Sequence, residues 1–236
     1  MIFRKGTLDG YIFSKVCNYN EYKIKREEIE GKNIIDIGGH IGSFSWLCLK
    51  NKVKKITVFE PDNENFNILK ENLKCFNEND YDIYKEAIWR SDIVEDNDLK
   101  YSGYYENTGG GNVFFGKQIL DDLSLSIKIQ YRSLDDILKE HEVIDLLKID
   151  CEFSEFPIIL TSKDIFKVKK IIGEFHEIGG KFNNELFIPK HAVVSGYDIF
   201  TINELKDIFE KNNFKFKYLR NDHFKHLGIF WAEKKE

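Results

Sequence analysis

Cysteine is scarce: Cys17, Cys48, Cys75 and Cys151 are the only four in 236 residues, and no two form a Cys-x-x-Cys pair. That spacing excludes a zinc ribbon and a thioredoxin-type redox motif. Cys48 and Cys75 fall in apolar helical patterns and read as buried thiols, and Cys151 reads as a packing residue. No apolar run approaches the roughly 18–20 residues of a membrane span. The opening Met1-Ile2-Phe3-Arg4-Lys5-Gly6 lacks the apolar stretch of a signal peptide, so a cytoplasmic protein is expected. An excess of basic residues is also missing. The net charge is −5, whereas phosphate binding needs a basic face, so nucleic acid is not the expected partner. Alanine is limited to Ala87, Ala192 and Ala232, and lysine far outnumbers arginine, while Asn, Ile and Phe abound. This is the usage of an AT-rich genome. With no internal repeat and no low-complexity linker, one domain over 1–236 is expected, with 1–30 as an N-terminal extension on a 31–236 core.

What is present alternates. Asn33 to Ile37 is a short apolar run ending in glycines, the mark of a buried parallel strand. Ile41 to Lys50 follows with Phe44, Leu47 and Cys48 at helical spacing. Ile56 to Glu60 reads as a second strand, Phe66, Leu69 and Leu73 as a second helix, and Ile83 to Trp89 as a third strand. Tyr101 to Gly116, rich in Gly, Asn and Tyr, reads as an irregular loop. Ser133, followed by an acid three residues on, caps a helix. Asp145 to Asp150 and Val168 to Phe175 are the fourth and fifth strands. Thr201 and Glu204 form a capping box for a helix to about Lys211, and Phe214 to Arg220 with Leu227 to Ala232 form a closing hairpin. The pattern specifies an α/β, Rossmann-like, doubly wound and mainly parallel sheet with an antiparallel C-terminal hairpin.

The glycine loop carries the first chemistry. Asp36-Ile37-Gly38-Gly39-His40-Ile41-Gly42 lies between a strand and a helix, where a tight turn lets a ligand approach the backbone. His40 occupies the second glycine position of a dinucleotide fingerprint, which is therefore imperfect. Asp36, at the strand end, is expected to face a cationic ligand group or to order the loop. Glu60, before Pro61, can accept both hydroxyls of an adenosine ribose. Glu86 and Ala87 end the third strand, where an adenine ring would lie.

Together these residues resemble the FkbM family of methyltransferases. The match runs through Ile34 to Gly42, Phe59-Glu60-Pro61, Glu86-Ala87-Ile88 and Ser133-Leu134-Asp135-Asp136. It continues through Asp145-Leu146-Leu147-Lys148-Ile149-Asp150-Cys151-Glu152, so that it covers roughly residues 33–176. The resemblance implies a class I methyltransferase fold, S-adenosylmethionine as cofactor, and O-methylation of a hydroxyl on a sugar or polyketide. The chain departs from the family at Phe153 and Ser154, where small residues are usual, and at His40, where asparagine is common. Cofactor contacts are expected from Asp36, Gly38, Gly39, His40, Gly42, Glu60, Pro61, Glu86 and Ala87.

In such a sheet the fourth and fifth strands are neighbours, which brings Lys148 and Asp150 towards Glu174 and His176 at the ligand-binding end. Two mechanisms fit. In one, His176 is a general base. In the other, Asp150, Glu174 and His176 bind Mn²⁺ or Mg²⁺, which lowers the pKa of the hydroxyl. Lys148 belongs to the catalytic set or neutralises Asp150. Glu152 and Glu155 are alternative ligands, but as the start of the next helix they are expected to complement its dipole. His191 is a candidate lining residue of the acceptor pocket, His141, His223 and His226 are expected on the surface, and the Tyr104–Asn112 loop is a candidate cover.

The acceptor expected is a small molecule, a sugar or sugar nucleotide, and the AT-rich usage favours surface polysaccharide (capsule) assembly. The fourth strand ends Asp150-Cys151-Glu152-Phe153, without a proline–aromatic motif to hold a flipped base. Alternatives are an NAD-dependent oxidoreductase and a non-catalytic cofactor-binding module. Residues 1–30 and 177–200 are candidates for a lid or for a homo-oligomer interface.

Overall fold

Continuous apolar runs, buried on both sides, build the centre of the molecule. The computed structural model describes residues 1–93, 99–102, 106–114 and 126–235. Along the chain run α1 (Asp9–Phe13), β1 (Asn33–Ile37), α2 (Ser43–Lys50), β2 (Lys55–Phe59), α3 (Asn63–Leu73), β3 (Tyr81–Tyr84), β4 (Ala87–Trp89), β5 (Lys100–Ser102), β6 (Ser126–Lys128) and β7 (Tyr131–Ser133). Then come α4 (Leu134–Lys139), β8 (Leu146–Ile149), α5 (Glu155–Thr161), β9 (Lys170–His176), α6 (Ile202–Lys211), β10 (Phe214–Arg220) and β11 (Leu227–Lys234).

Seven strands form one sheet in the order β10-β11-β9-β8-β1-β2-β3, parallel except for β11, which runs antiparallel to both neighbours. Successive residues feed opposite faces. Ile34, Leu146 and Ile172 pack with α2, α3 and the N-terminal segment, while Ile35, Leu147 and Ile171 pack with α4, α5 and α6. The doubly wound sheet with its antiparallel hairpin is thus the architecture expected from the sequence.

The chain turns from β1 to β2 on one side and returns to β8 on the other. The crevice between the C-terminal ends of β1 and β8 is therefore the switch point at which ligands bind in such sheets.

Three departures from expectation have local causes. The run expected as one strand over 83–89 divides at Lys85–Glu86. β3 alternates between half-buried and exposed residues, as befits a sheet edge, whereas Ala87, Ile88 and Trp89 are all buried and leave the sheet to pair with β7. Cys75 is exposed, because α3 ends at Leu73 and its apolar period ends there too. The N-terminal extension is built into the core, since Val16, Tyr22, Ile24 and Ile29 are buried beside Ile34 and Phe44. The caps expected at Ser133 and Thr201 are present: Ser133 Oγ accepts from Asp136 N, and Thr201 N donates to Glu204 Oε2 at 2.8 Å. Of the loop expected over 101–116, residues 103–105 and 115–116 lie outside the described residues. No helix of the described residues is long and apolar enough to cross a membrane.

Candidate functional site

The glycine loop is held from behind by a buried ion pair. Asp36 is fully buried. Its Oδ2 accepts from Ser45 Oγ at 2.7 Å, and its Oδ1 lies 3.0 Å from Lys148 Nζ. Lys148 Nζ also donates to the carbonyls of Gly38 (2.7 Å) and Ile37 (3.3 Å). Burial alone would lower the ammonium's pKa, but Asp36 and Asp150 hold it above the ordinary lysine value. Burial pushes the Asp36 carboxyl upward, and Lys148 opposes it. Both residues therefore shape the loop from within. Asp36 lines none of the cavities described below, and its carboxylate is answered by Lys148 and Ser45. Lys148, expected in the catalytic set or as the counter-charge of Asp150, holds the glycine loop through Asp36 and the Gly38 carbonyl.

The loop must be glycine where it touches the neighbouring strands. A Cβ on Gly38 would lie 1.8 Å from the Asp150 carbonyl oxygen, and φ there is +81°. His40, at φ +50°, is strained for a non-glycine residue and is fastened at both ends. Its N–H donates to Glu60 Oε2 at 2.7 Å, and its Nε2 lies 2.9 Å from Thr108 Oγ1. The Thr108 hydroxyl donates to Asp9 Oδ1 (2.7 Å), and Asp9 accepts twice from the Arg4 guanidinium at 2.9 Å. Hydrogen bonds from His40, Arg4 and Thr108 outweigh burial and hold the Asp9 carboxyl well below its usual range. Arg4, Asp9 and Thr108 were not foreseen, because nothing in their local sequence marks three residues from two distant segments as partners.

Glu60 ends β2 almost fully buried, with Oε1 accepting from Asp62 N at 2.8 Å. Burial raises its pKa to about 7. It belongs to an inner cavity of about 500 Å³ that also takes in Gly38, His40, Pro61, Glu86 and Ala87. Tyr101, Gly109, Gly111, Asn112 and Val113 cover it, so part of the loop expected as a cover does lie over this cavity. Gly39 faces the next chamber, and Gly42 shapes the turn without lining a cavity.

Asp150 lines both the inner cavity and a second chamber of about 870 Å³. Its Oδ2 accepts from Tyr22 Oη at 2.5 Å and lies 3.8 Å from Lys148 Nζ. Tyr22 is buried, which raises its hydroxyl pKa well above the ordinary value, so it stays a proton donor. The second chamber also holds Glu21, Glu152 and Glu174, opposed by Lys15 and Lys148. Glu152 and Glu174 continue into an open outer cavity of about 1410 Å³ with Phe153, His176 and Arg220.

At the boundary of these two spaces stands a cluster that holds Glu174 and His176 of the expected ligand set together with Glu152. Glu152, Glu174 and His176 each offer an atom within 4.8 Å of the others. His176 Nε2 lies 3.2 Å from Glu152 Oε2 and 3.7 Å from Glu174 Oε2. Asp150 is turned instead to Tyr22 and Lys148. The cause is backbone: after β8 and the two residues Asp150 and Cys151, Glu152 (φ +46°) and Phe153 (φ +68°) form a left-handed turn and delay α5 to Glu155. Glu152 is thereby taken off the helix start, where it was expected, and given to His176. Glu155 does open α5, but fully buried, with Oε1 3.4 Å from His176 Nδ1.

Burial would lower the pKa of His176, yet Glu155 and Glu152 raise it well above the ordinary value. His191 packs on Trp89 (centroids 5.9 Å) and lines none of the three cavities. His223 is exposed, and His141 and His226 are half-buried.

A profile of the methyltransferase FkbM domain matches residues 36–216. No curated protein sequence matches the chain. Among solved structures, an rRNA methylase from Streptococcus thermophilus aligns with TM-score 0.50 at 8% identity, over 100% of this chain and 99% of its own. A Clostridium thermocellum protein assigned as an rRNA methylase aligns at 0.51 and 10%, over 100% and 99%. A Listeria monocytogenes protein assigned as an S-adenosylmethionine-dependent methyltransferase aligns at 0.50 and 12%, over 94% and 99%. At such identities the likeness is one of fold, the class I methyltransferase fold. The domain match covers the glycine loop, Glu60, Asp150 and His176 alike, and the chain belongs to the FkbM family of S-adenosylmethionine-dependent methyltransferases.

Proposed function

We propose that the chain is an O-methyltransferase acting on a hydroxyl of a sugar or sugar nucleotide in surface polysaccharide assembly, with a divalent cation, Mn²⁺ or Mg²⁺, at Glu152, Glu174 and His176. The observation that carries the reading is Asp150 on the wall between a covered inner cavity and a polar chamber. The inner cavity takes S-adenosylmethionine, with its ribose at Glu60 and its adenine against Ala87 and Ile88. The chamber takes the acceptor.

Asp150 keeps one oxygen on Tyr22 and turns the other to the acceptor hydroxyl. As the oxygen attacks the methyl carbon, the carbon–sulfur bond breaks and its electron pair stays on sulfur. The hydroxyl proton passes to Asp150, leaving a methyl ether and neutral S-adenosylhomocysteine. The donor set suits a cation. Burial, with Asp150 nearby, pushes Glu174 well above the usual carboxylate range although His176 opposes the shift, as expected of crowded carboxylates that a cation would relieve. A divalent cation bound there would lower the pKa of a coordinated hydroxyl.

The first test is calorimetric titration with S-adenosylhomocysteine and, as control, NAD. Micromolar binding of the first alone is expected, and preference for NAD would overturn the cofactor assignment. Methyl transfer to sugars and nucleotide sugars is then measured with and without EDTA. Activity untouched by chelation and by Glu174→Gln would remove the cation from the proposal. Asp150→Asn is expected to abolish transfer while S-adenosylhomocysteine still binds. A biological role that survives that substitution would favour a non-catalytic module.

A further inference from the structure

Two groups hold His176 without belonging to the proposed cation site, Glu155 and Phe153. Glu155 opens α5 with a fully buried carboxylate, whose Oε1 lies 3.4 Å from His176 Nδ1. The same oxygen accepts from Cys151 N at 3.1 Å, which fixes the carboxylate against the backbone of the turn. Neither Nδ1 nor Glu155 Oε2 has another hydrogen-bond partner. Phe153 packs on the imidazole, with ring centroids 4.7 Å apart. One nitrogen of His176 is thus turned to a buried carboxylate. The other, Nε2, is turned to Glu152 Oε2 at 3.2 Å and Glu174 Oε2 at 3.7 Å, residues that line both the chamber and the outer cavity.

A buried carboxylate needs a cation or a donor to face it. The basic side chains of the neighbouring spaces are engaged elsewhere or lie at the edge: Lys15 pairs with Glu21, Lys148 with Asp36 and Arg220 with Glu177, while Lys23 is exposed on the rim. His176 is therefore the charged partner of Glu155. A histidine that binds a metal through one nitrogen commonly gives its other N–H to a carboxylate, which fixes the tautomer and the ring and makes the ligating nitrogen more basic. Glu155 is placed for that work. It stands outside the set of atoms within 4.8 Å of one another that Glu152, Glu174 and His176 offer, so it is not a ligand of that set.

We propose that Glu155 is a positioning residue, which holds the Nδ1 proton of His176 and leaves Nε2 to ligate the cation beside Glu152 and Glu174. The proton that Nε2 shares with Glu152 leaves as the nitrogen lone pair is given to the ion, and the Nδ1 proton stays between the ring and Glu155. An imidazole made more basic in this way favours a transition ion over Mg²⁺, which prefers oxygen ligands, so of the two ions Mn²⁺ is the one this site takes. This inference rests on the cation reading above and deepens it.

Mn²⁺ alone is the first probe, with the free ion counted by electron paramagnetic resonance and Mg²⁺ added as competitor. The parent should bind Mn²⁺ about tenfold or more tightly than Mg²⁺, and Glu174→Gln should lose the site. Glu155→Gln keeps the shape of the side chain but removes its charge. It should weaken Mn²⁺ binding by about 10–100-fold and leave the S-adenosylhomocysteine Kd unchanged. A parent that binds no Mn²⁺ would overturn the cation reading, and this inference with it. Mn²⁺ bound by the parent, lost in Glu174→Gln and held as tightly by Glu155→Gln would overturn this inference alone, as would equal affinity of the parent for the two ions. A second measurement needs no change at Glu155. With diamagnetic Zn²⁺ in the parent, ¹⁵N spectra of labelled histidine rings should show the ion on Nε2 of His176 and a proton on Nδ1, the signals being assigned by their loss in His176→Gln. The ion on Nδ1, or no proton there, would overturn the proposal.

Discussion

At the scale of single residues, the ribose contact proposed for Glu60 would couple cofactor binding to pH. The folded-state pKa of Glu60 is raised from 4.5 to about 7 by burial. A raised carboxyl contributes stability that is complete below its unfolded value and is lost as pH rises through about 7. The cofactor-free protein should therefore melt at lower temperature at pH 8 than at pH 5.5, as far as Glu60 decides the matter. Ribose hydroxyls donate to the ionised form, so binding lowers the pKa and expels a proton. S-adenosylhomocysteine affinity should rise with pH, by at most about tenfold per unit, and level off above about 7. Calorimetry in buffers of different ionisation enthalpy measures the released proton directly, and Glu60→Gln should abolish both the release and the slope. Lys148 supports a second prediction. Lys148→Met leaves the Asp36 carboxylate buried without its cation, a loss of about 3–5 kcal/mol. Urea denaturation at neutral pH should show it, and mild acid, by protonating Asp36, should return part of the stability. Loss of only a few tenths would mean that the pair contributes little to holding the loop.

At the scale of elements, the segment over the inner cavity is tied through Asp9 to the N-terminal segment, which lines the neighbouring chamber. The N-terminal segment supplies Arg4 and Asp9, the segment after β5 supplies Thr108, and His40 of the glycine loop completes the chain of hydrogen bonds. Leu8 N also donates to the Glu106 carbonyl at 3.0 Å. Asp9→Asn removes the charge that Arg4 and Thr108 both address, so the cover should open more readily. Stopped-flow displacement should give S-adenosylhomocysteine dissociation about tenfold faster, equivalent to about 1.4 kcal/mol, and an unchanged rate would show that the cover opens elsewhere. The same element shows what the sequence makes legible. Gly38, Glu60 and Asp150 could be placed because strand, turn and helix are local patterns, and each residue ends a strand. The β3–β4 break and the left-handed turn at Glu152–Phe153 carry no such period. The first depends on which strand lies at the sheet edge, and the second places an acid and a phenylalanine where glycine would have announced the turn.

At the scale of the whole molecule, the two halves of the site differ in how the chain assembles them. The inner cavity comes largely from 36–114, in order along the chain. The two outer spaces join residues 8–23, the β8–α5 turn, the end of β9 and residues 219–229. Their first and last contributions fall outside the matched span of 36–216, so no family pattern could announce them. Since the match starts after residue 30, the first thirty residues invite removal as an appendage, which the packing contradicts. Val16, Tyr22, Ile24 and Ile29 are each at most 6% exposed, and Trp231 Nε1 of β11 donates to the Tyr22 carbonyl at 2.6 Å. Four such side chains, at about 1.5–3 kcal/mol each, stabilise the fold by an amount comparable to the entire 5–15 kcal/mol of a typical domain. A chain lacking residues 1–30 should therefore fail to fold, giving no cooperative thermal transition by circular dichroism and no S-adenosylhomocysteine binding. A truncated protein that melted cooperatively and bound S-adenosylhomocysteine normally would show that the core closes without its N-terminal wall. Tyr22→Phe separates the wall's two roles, because it keeps the ring in the core and removes only the donor to Asp150. It should fold and bind S-adenosylhomocysteine as the parent does while methyl transfer falls by at least tenfold.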